Sequence, residues 1–144
     1  MKTTVLLSLV SLFAAFTATA GDPIQDEKAI QGTWLPVEGQ LAGHTMKPEV
    51  LHIISLEMDS GKYLVTAENI DRGTYMINTK ATPKTLDITG VVGPNAGRNI
   101  PAIYELQGDT LKICYGLHGS PRPTEFKTGT NTQSLLFVYK RKKQ

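Results

Sequence analysis

The chain has one cysteine, three histidines and one tryptophan in 144 residues, and a formal net charge of only +2. Each scarcity closes a class of reading. A single thiol cannot form a disulfide within the chain, so a stapled mini-domain is excluded. His44, His52 and His118 lie far apart and show no H-x-x-x-H spacing, so no zinc site of three or four converging ligands can be assembled from them. His52 alternates with Ile54, Leu56 and Met58 and is expected as a core-edge histidine on a strand. The weak net charge argues against nucleic acid as a partner. No window after residue 30 sustains a helical period, and no repeat or domain boundary is visible.

Long apolar runs are equally scarce, with one exception at the start. Lys2 precedes the apolar stretch Val5 to Phe16, broken only by Ser8 and Ser11, and Ala18-Thr19-Ala20 follows. That order fits a secretory signal peptide over residues 1–20, cleaved after Ala20. The stretch is too short to span a bilayer comfortably, and no cysteine follows it to carry a lipid. The expectation is a periplasmic or secreted protein, monomeric, with no membrane span after cleavage. Cleavage removes only Lys2 among charged residues, leaving a balance near +1. Residues 21–144, about 124 of them, suit one domain with a real core. The closing Lys140-Arg141-Lys142-Lys143 reads as a solvated basic end.

What is present is turn chemistry between short strands. Asp22-Pro23 with Gln25 predicts a short helix from Pro23 to about Ile30, ended by Gly32. Strands are expected at Thr33–Glu38, Val50–Met58, Lys62–Asn69, Thr74–Asn78, Thr85–Thr89, Ala102–Gln107, Thr110–Tyr115 and Ser134–Lys140. Asp59-Ser60-Gly61, Asp71-Arg72-Gly73, Thr82-Pro83 and Gly108-Asp109 are read as the turns between them. Gly90–Pro101 and Gly116–Gly129 are expected as long loops, the second with at most a short strand near Glu125–Lys127. The fold class is therefore all-β: an antiparallel up-and-down barrel of about eight strands with a short N-terminal helix.

Gly108-Asp109 as a two-residue turn sets a register in which Gln107 faces Thr110, Glu105 faces Lys112 and Ile103 faces Cys114. Tyr104, Leu106, Leu111, Ile113 and Tyr115 then share one apolar face. Cys114 falls on the other, mostly polar face, and is read as a small, partly covered apolar side chain beneath a loop rather than a reactive thiol.

Several pieces of this chain resemble an uncharacterised lipocalin-like domain family abundant in planctomycete bacteria. They are Gln31-Gly32-Thr33-Trp34, Pro83-Lys84-Thr85-Leu86-Asp87-Ile88, and Ile103-Tyr104-Glu105-Leu106 with Gly108-Asp109-Thr110-Leu111-Lys112-Ile113-Cys114-Tyr115. Arg122-Pro123-Thr124-Glu125-Phe126 and Leu136-Phe137-Val138-Tyr139-Lys140-Arg141 complete the set. The resemblance implies a lipocalin-like barrel, usually exported, and brings no assigned activity, ligand or cofactor. It also implies that Trp34 closes the barrel base beside Arg141 or Lys140. Pro36, just after Trp34, departs from the pattern and suits a bulged or edge strand start.

Two functional readings stand side by side. In the first, the barrel holds a small apolar or amphipathic molecule, with Tyr104, Leu106, Leu111, Ile113, Tyr115, Leu86, Ile88 and Phe137 lining a cavity. In the second, the barrel is packed and acts as a structural or protein-interaction domain of the cell envelope, through its two long loops. Catalysis is not expected. Ser120 and His118 have no third group to orient them, Gly90–Gly97 opens no helix, and Glu57, Asp59, Glu68 and Asp71 are placed at turns facing water. Arg122, between two prolines, is the candidate anion contact, for a ligand's carboxylate or for one of the protein's own acids.

Overall fold

The computed structural model describes residues 23–144; the proposed leader and its cleavage site lie outside them. The elements run α1 (Pro23–Ala29), β1 (Gly32–Leu41), β2 (His44–Thr45), α2 (Pro48–Leu51), β3 (Ser55–Asp59), β4 (Lys62–Thr66), β5 (Ile70–Asn78), β6 (Thr85–Val92), β7 (Asn99–Gln107), β8 (Thr110–Gly116) and β9 (Ser134–Arg141). Strands β1 and β3 to β9 pair antiparallel with their neighbours, and β9 pairs back onto β1 from Trp34↔Arg141 to Leu41↔Leu135. The result is an eight-stranded closed barrel, with the two-residue β2 folded back on the end of β1. Closure leaves the eight wall strands without a free edge.

The expected hairpin is present in the expected register, with Gln107↔Thr110, Glu105↔Lys112 and Ile103↔Cys114. Glu105 and Lys112 form a cross-strand ion pair at 3.8 Å. Pro36 sits at a bulge, where the β1–β9 register shifts between Pro36 and Glu38.

Four boundaries differ from the sequence reading. The strand expected at Val50–Met58 begins only at Ser55. Pro48 instead starts a single helical turn, closed by the His52 N–H on the Pro48 carbonyl. His52 is consequently an exposed helix end and not a core-edge strand residue. Strand β4 stops at Thr66, short of Asn69. Asp71-Arg72-Gly73 is not a turn but the first part of β5, paired with both β4 and β6. The Gly90–Pro101 loop shrinks to residues 93–98, because β6 runs on to Val92 and β7 starts at Asn99. Residues 117–133, by contrast, contain no strand at all.

One buried cluster fills the lumen. It contains Trp34, Leu56, Met58, Tyr63, Tyr75, Leu86, Ile88, Ile100, Ala102, Tyr104, Leu111, Ile113, Tyr115, Phe137 and Tyr139, with Ile30 and Leu51 reaching in from the two helical segments. A smaller cluster of Ile103, Cys114, Leu136 and Phe126 lies on the opposite side of the wall, where residue alternation points those strand positions outward. No helix among the described residues is long and apolar enough to cross a membrane.

Candidate functional site

Strand directions give the barrel two unlike ends. At the base lie α1 and the short connections 60–61, 79–84 and 108–109. At the mouth lie α2 and the segments 42–54, 67–69, 93–98 and 117–133.

The base is built on Trp34, which is fully buried. Its indole N–H donates to the Ile30 carbonyl at 2.9 Å, tying β1 to the end of α1. The guanidinium of Arg141, one of the two partners (Arg141 or Lys140) that the resemblance implied, lies 4.2 Å from the Trp34 ring centroid. Arg141 also donates to the carbonyls of Ala29 (2.6 Å) and Gln31 (2.7 Å) and to Asp109 (3.0 Å). It thereby satisfies carbonyls at the α1 C-terminus that have no helical partner. Asp26 of α1 points inward and is buried. It accepts from Tyr104 Oη and Lys84 Nζ, both at 2.7 Å on the same carboxylate oxygen.

The mouth holds a second buried carboxylate, Asp71, which the sequence reading had placed in water. In β5 the buried positions Asp71 and Tyr75 alternate with exposed Ile70, Arg72, Thr74 and Met76, so Asp71 faces inward. It accepts from Tyr63 Oη (3.2 Å), from the Asn95 backbone N–H (3.2 Å) and from Asn95 Nδ2 (2.7 Å). The 93–98 loop reaches Asp71 by folding over Gly90. Gly90 is on the inner face of β6, and a Cβ there would lie 1.9 Å from the Asn95 carbonyl oxygen. Only a residue without a side chain lets the loop enter the mouth at this point. On the other side of the mouth, Leu51 of α2, Met46 and Phe137 crowd over Gly39, each within 2.9–3.0 Å of where a Cβ would stand.

Between the two ends, Tyr115 and Tyr139 share a buried hydroxyl–hydroxyl hydrogen bond of 3.2 Å. Burial holds all five tyrosines protonated above the usual phenol range. At Tyr63 the Asp71 charge adds to the effect, and at Tyr104 the hydrogen bond to Asp26 does.

The residues offered by the sequence as a cavity lining are brought together. Tyr104, Leu111, Ile113, Tyr115, Leu86, Ile88 and Phe137 are buried in the lumen cluster, and Leu106 packs against it half-buried. Arg122 binds the protein's own groups: Asp87 at 2.6 Å, the Ala102 carbonyl at 2.8 Å and the Leu86 carbonyl at 3.4 Å. It pins the 117–133 segment across the outside of β6 and β7, next to a cleft of about 630 Å3 framed by Gly116, Pro121, Thr128 and Ser134. Cys114 is buried beneath that segment, with its thiol 3.7 Å from the Lys127 carbonyl, and burial pushes the thiol's pKa up, the opposite of activation. Ser120 and His118 share no hydrogen bond, and no group of three or more His, Cys, Asp or Glu residues is placed to hold a metal, among the described residues.

Sequence reasoning missed the two buried aspartates. The signal was there for one of them: in Ile70 to Asn78, period-two alternation puts Asp71 on the face of Tyr75 and Ile77. Asp26 gave none, because its partners Lys84 and Tyr104 are 58 and 78 residues away. Comparison with family models, with curated proteins and with solved structures gave no match to this chain.

Proposed function

We infer that the chain is an exported, lipocalin-like domain of the cell envelope that acts without catalysis, through contacts at the mouth of a filled barrel. The observation that carries this reading is the state of the lumen. Seven of the eight residues offered as a cavity lining are packed into one cluster with Trp34, Tyr63, Tyr75 and Tyr139, with Leu106 half-buried against it, and Ile30 and Leu51 close that cluster at the two ends. Eight-stranded barrels either fill with side chains or hold one small ligand, and a lumen ligand here would have to displace buried aromatic rings. Exposed apolar surface gathers instead at the mouth. Of ten exposed large apolar residues among those described, Leu41, Val50, Ile53, Ile70, Val91 and Val92 are on that rim or its loops. Export rests on the leader pattern of residues 1–20, and lipocalin kinship on the motif pieces and the Trp34–Arg141 contact.

Native mass spectrometry of the chain purified from its own envelope tests the reading. The expected species begins at Gly21 and carries no ligand in the lumen. An extractable small-molecule adduct whose rebinding shifts the Leu111 and Ile113 resonances would assign the lumen to a ligand and overturn the packed-barrel reading.

A further inference from the structure

Resting on the mouth as the working end, the geometry points to Asp71 as the receptor for a primary ammonium group, on a small amphiphile whose apolar part lies along Ile70, Val91 and Val92. The chain contains its own precedent for the chemistry. At the base, a buried aspartate takes a tyrosine hydroxyl and a lysine ammonium, Tyr104 and Lys84 on Asp26. At the mouth, a buried aspartate takes a tyrosine hydroxyl and a carboxamide, Tyr63 and Asn95 on Asp71. Asp71 makes no ion pair among the described residues. All its donors are neutral, although a buried carboxylate is best stabilised by a charged donor. The Asn95 amide at 2.7 Å occupies the place that the ammonium of Lys84 takes at the other end.

The occupant can be displaced. Asn95 belongs to the six-residue connection 93–98, whose backbone is held to Gly90 of β6 through Gly90 N–H on the Arg98 carbonyl and Gly97 N–H on the Gly90 carbonyl. An incoming ammonium therefore has to displace only the Asn95 side chain from Asp71 while the loop stays in place. The ligand's apolar part has a surface to meet as it arrives. Ile70 precedes Asp71, Val92 pairs with Arg72, and Val91 is the extra residue at the register shift between β5 and β6. All three are exposed, Ile70 and Val91 by more than half. An ammonium on Asp71 with a short alkyl chain across these residues would cover the rim and leave the lumen packing intact.

The test is an NMR titration of the whole domain with n-hexylammonium, n-hexanol and n-hexanoate. Saturable shifts are expected at Asp71, Asn95 and Val92 with the ammonium, at least tenfold tighter than with the alcohol, and no saturation with the carboxylate. Asn95→Ala removes the competing amide and should tighten ammonium binding several-fold. Asp71→Asn should weaken it at least tenfold, with an unchanged Trp34 indole resonance as proof of folding. Should Asp71→Asn fail to fold, the Asn95→Ala arm decides. Equal binding of ammonium and alcohol at the mouth, or no tightening in Asn95→Ala, would overturn the ammonium assignment alone. Shifts centred on Leu111 and Ile113 in the lumen would overturn the mouth as the working end.

Discussion

The two ends of this barrel are built from the same parts and differ in how those parts are finished. Each has a helical segment, a buried aspartate and a lumen tyrosine donating to it. At the base the aspartate is neutralised by Lys84, the helix carbonyls are taken by Arg141, and the connections between strands are short. At the mouth the aspartate is held by neutral donors, Tyr63 and Asn95, and the long connections 42–54 and 117–133 crowd the rim. The base has its buried carboxylate ion-paired and the carbonyls at the end of α1 partnered, which makes a rigid foundation. The mouth has the same carboxylate with a weaker and removable partner. Stability and responsiveness are thus divided between opposite ends of one cylinder, and the variants below ask whether the division is real.

The largest effect should ignore the division. All five tyrosines have pKa values raised by burial, whereas in the unfolded chain they titrate near the usual value of about 10. The stability they contribute is complete below about pH 10 and is lost as pH climbs from there towards the folded values, because the unfolded state releases protons first. Cooperative unfolding should therefore set in above about pH 10, with phenolate absorbance and loss of circular dichroism rising together. Phenolate appearing well before unfolding would mean that the lumen is open to water. If Tyr63 at the mouth ionised ahead of Tyr104 at the base, the division would extend even to the tyrosines.

Trp34→Ala should come next. It removes a fully buried ring, the indole bond to Ile30 and the face on which Arg141 rests. A loss of about 3–5 kcal/mol is expected in urea unfolding. At the aspartates the comparison sharpens. Asp26→Asn exchanges a charged acceptor for a neutral one opposite a lysine and should lower global stability by about 2–3 kcal/mol. Asp71→Asn loses bonds to neutral donors only and should lower it by about 1–2 kcal/mol. Its amide-exchange signature should also be local, with faster exchange at residues 93–98 and none at α1. Equal losses, or a global exchange response from Asp71→Asn, would erase the distinction between the ends.

Much of this was legible in the chain, and the limits have physical causes. The β7–β8 register followed from one two-residue turn, because a slip of one residue would turn every apolar side chain to the wrong face. The same alternation put Cys114 on the outer face, but its complete burial depends on the 117–133 segment, whose path no periodicity shows. Arg141 or Lys140 beside Trp34 came from the family resemblance and not from spacing, since residues at opposite ends of the sequence carry no spacing signal about contact; the structure places Arg141 there. Asp71-Arg72-Gly73 misled because Asp and Gly serve turns and close backbone approaches alike; here the glycine lies in a ladder opposite Gly90, and a Cβ on it would stand 1.9 Å from the Thr89 carbonyl oxygen. Val50–Ile54 misled because apolar residues in a single helical turn can mimic a strand, and Pro48 was the signal that outweighed them. The long-range partners of Asp26 and Asp71 were invisible because the sequence does not show which strands close upon which.

The smallest effect concerns the lone cysteine, which lies outside the wall and belongs to neither end. Its thiol is fully covered by Phe126 and the 117–133 segment, and it makes only a long contact with the Lys127 carbonyl. Cys114→Ala should cost about 1 kcal/mol, the loss of one small buried group. The same thiol reports on the segment above it, since alkylation requires that segment to lift. In Asp71→Asn the labelling rate of Cys114 should stay at the wild-type value, because the 93–98 loop is fastened to Asp71 and the 117–133 segment to Asp87 through Arg122. A faster rate in that variant would mean that the two mouth segments open as one unit, and Arg122→Ala, which frees only the outer segment, should then loosen the Asn95 amide as well.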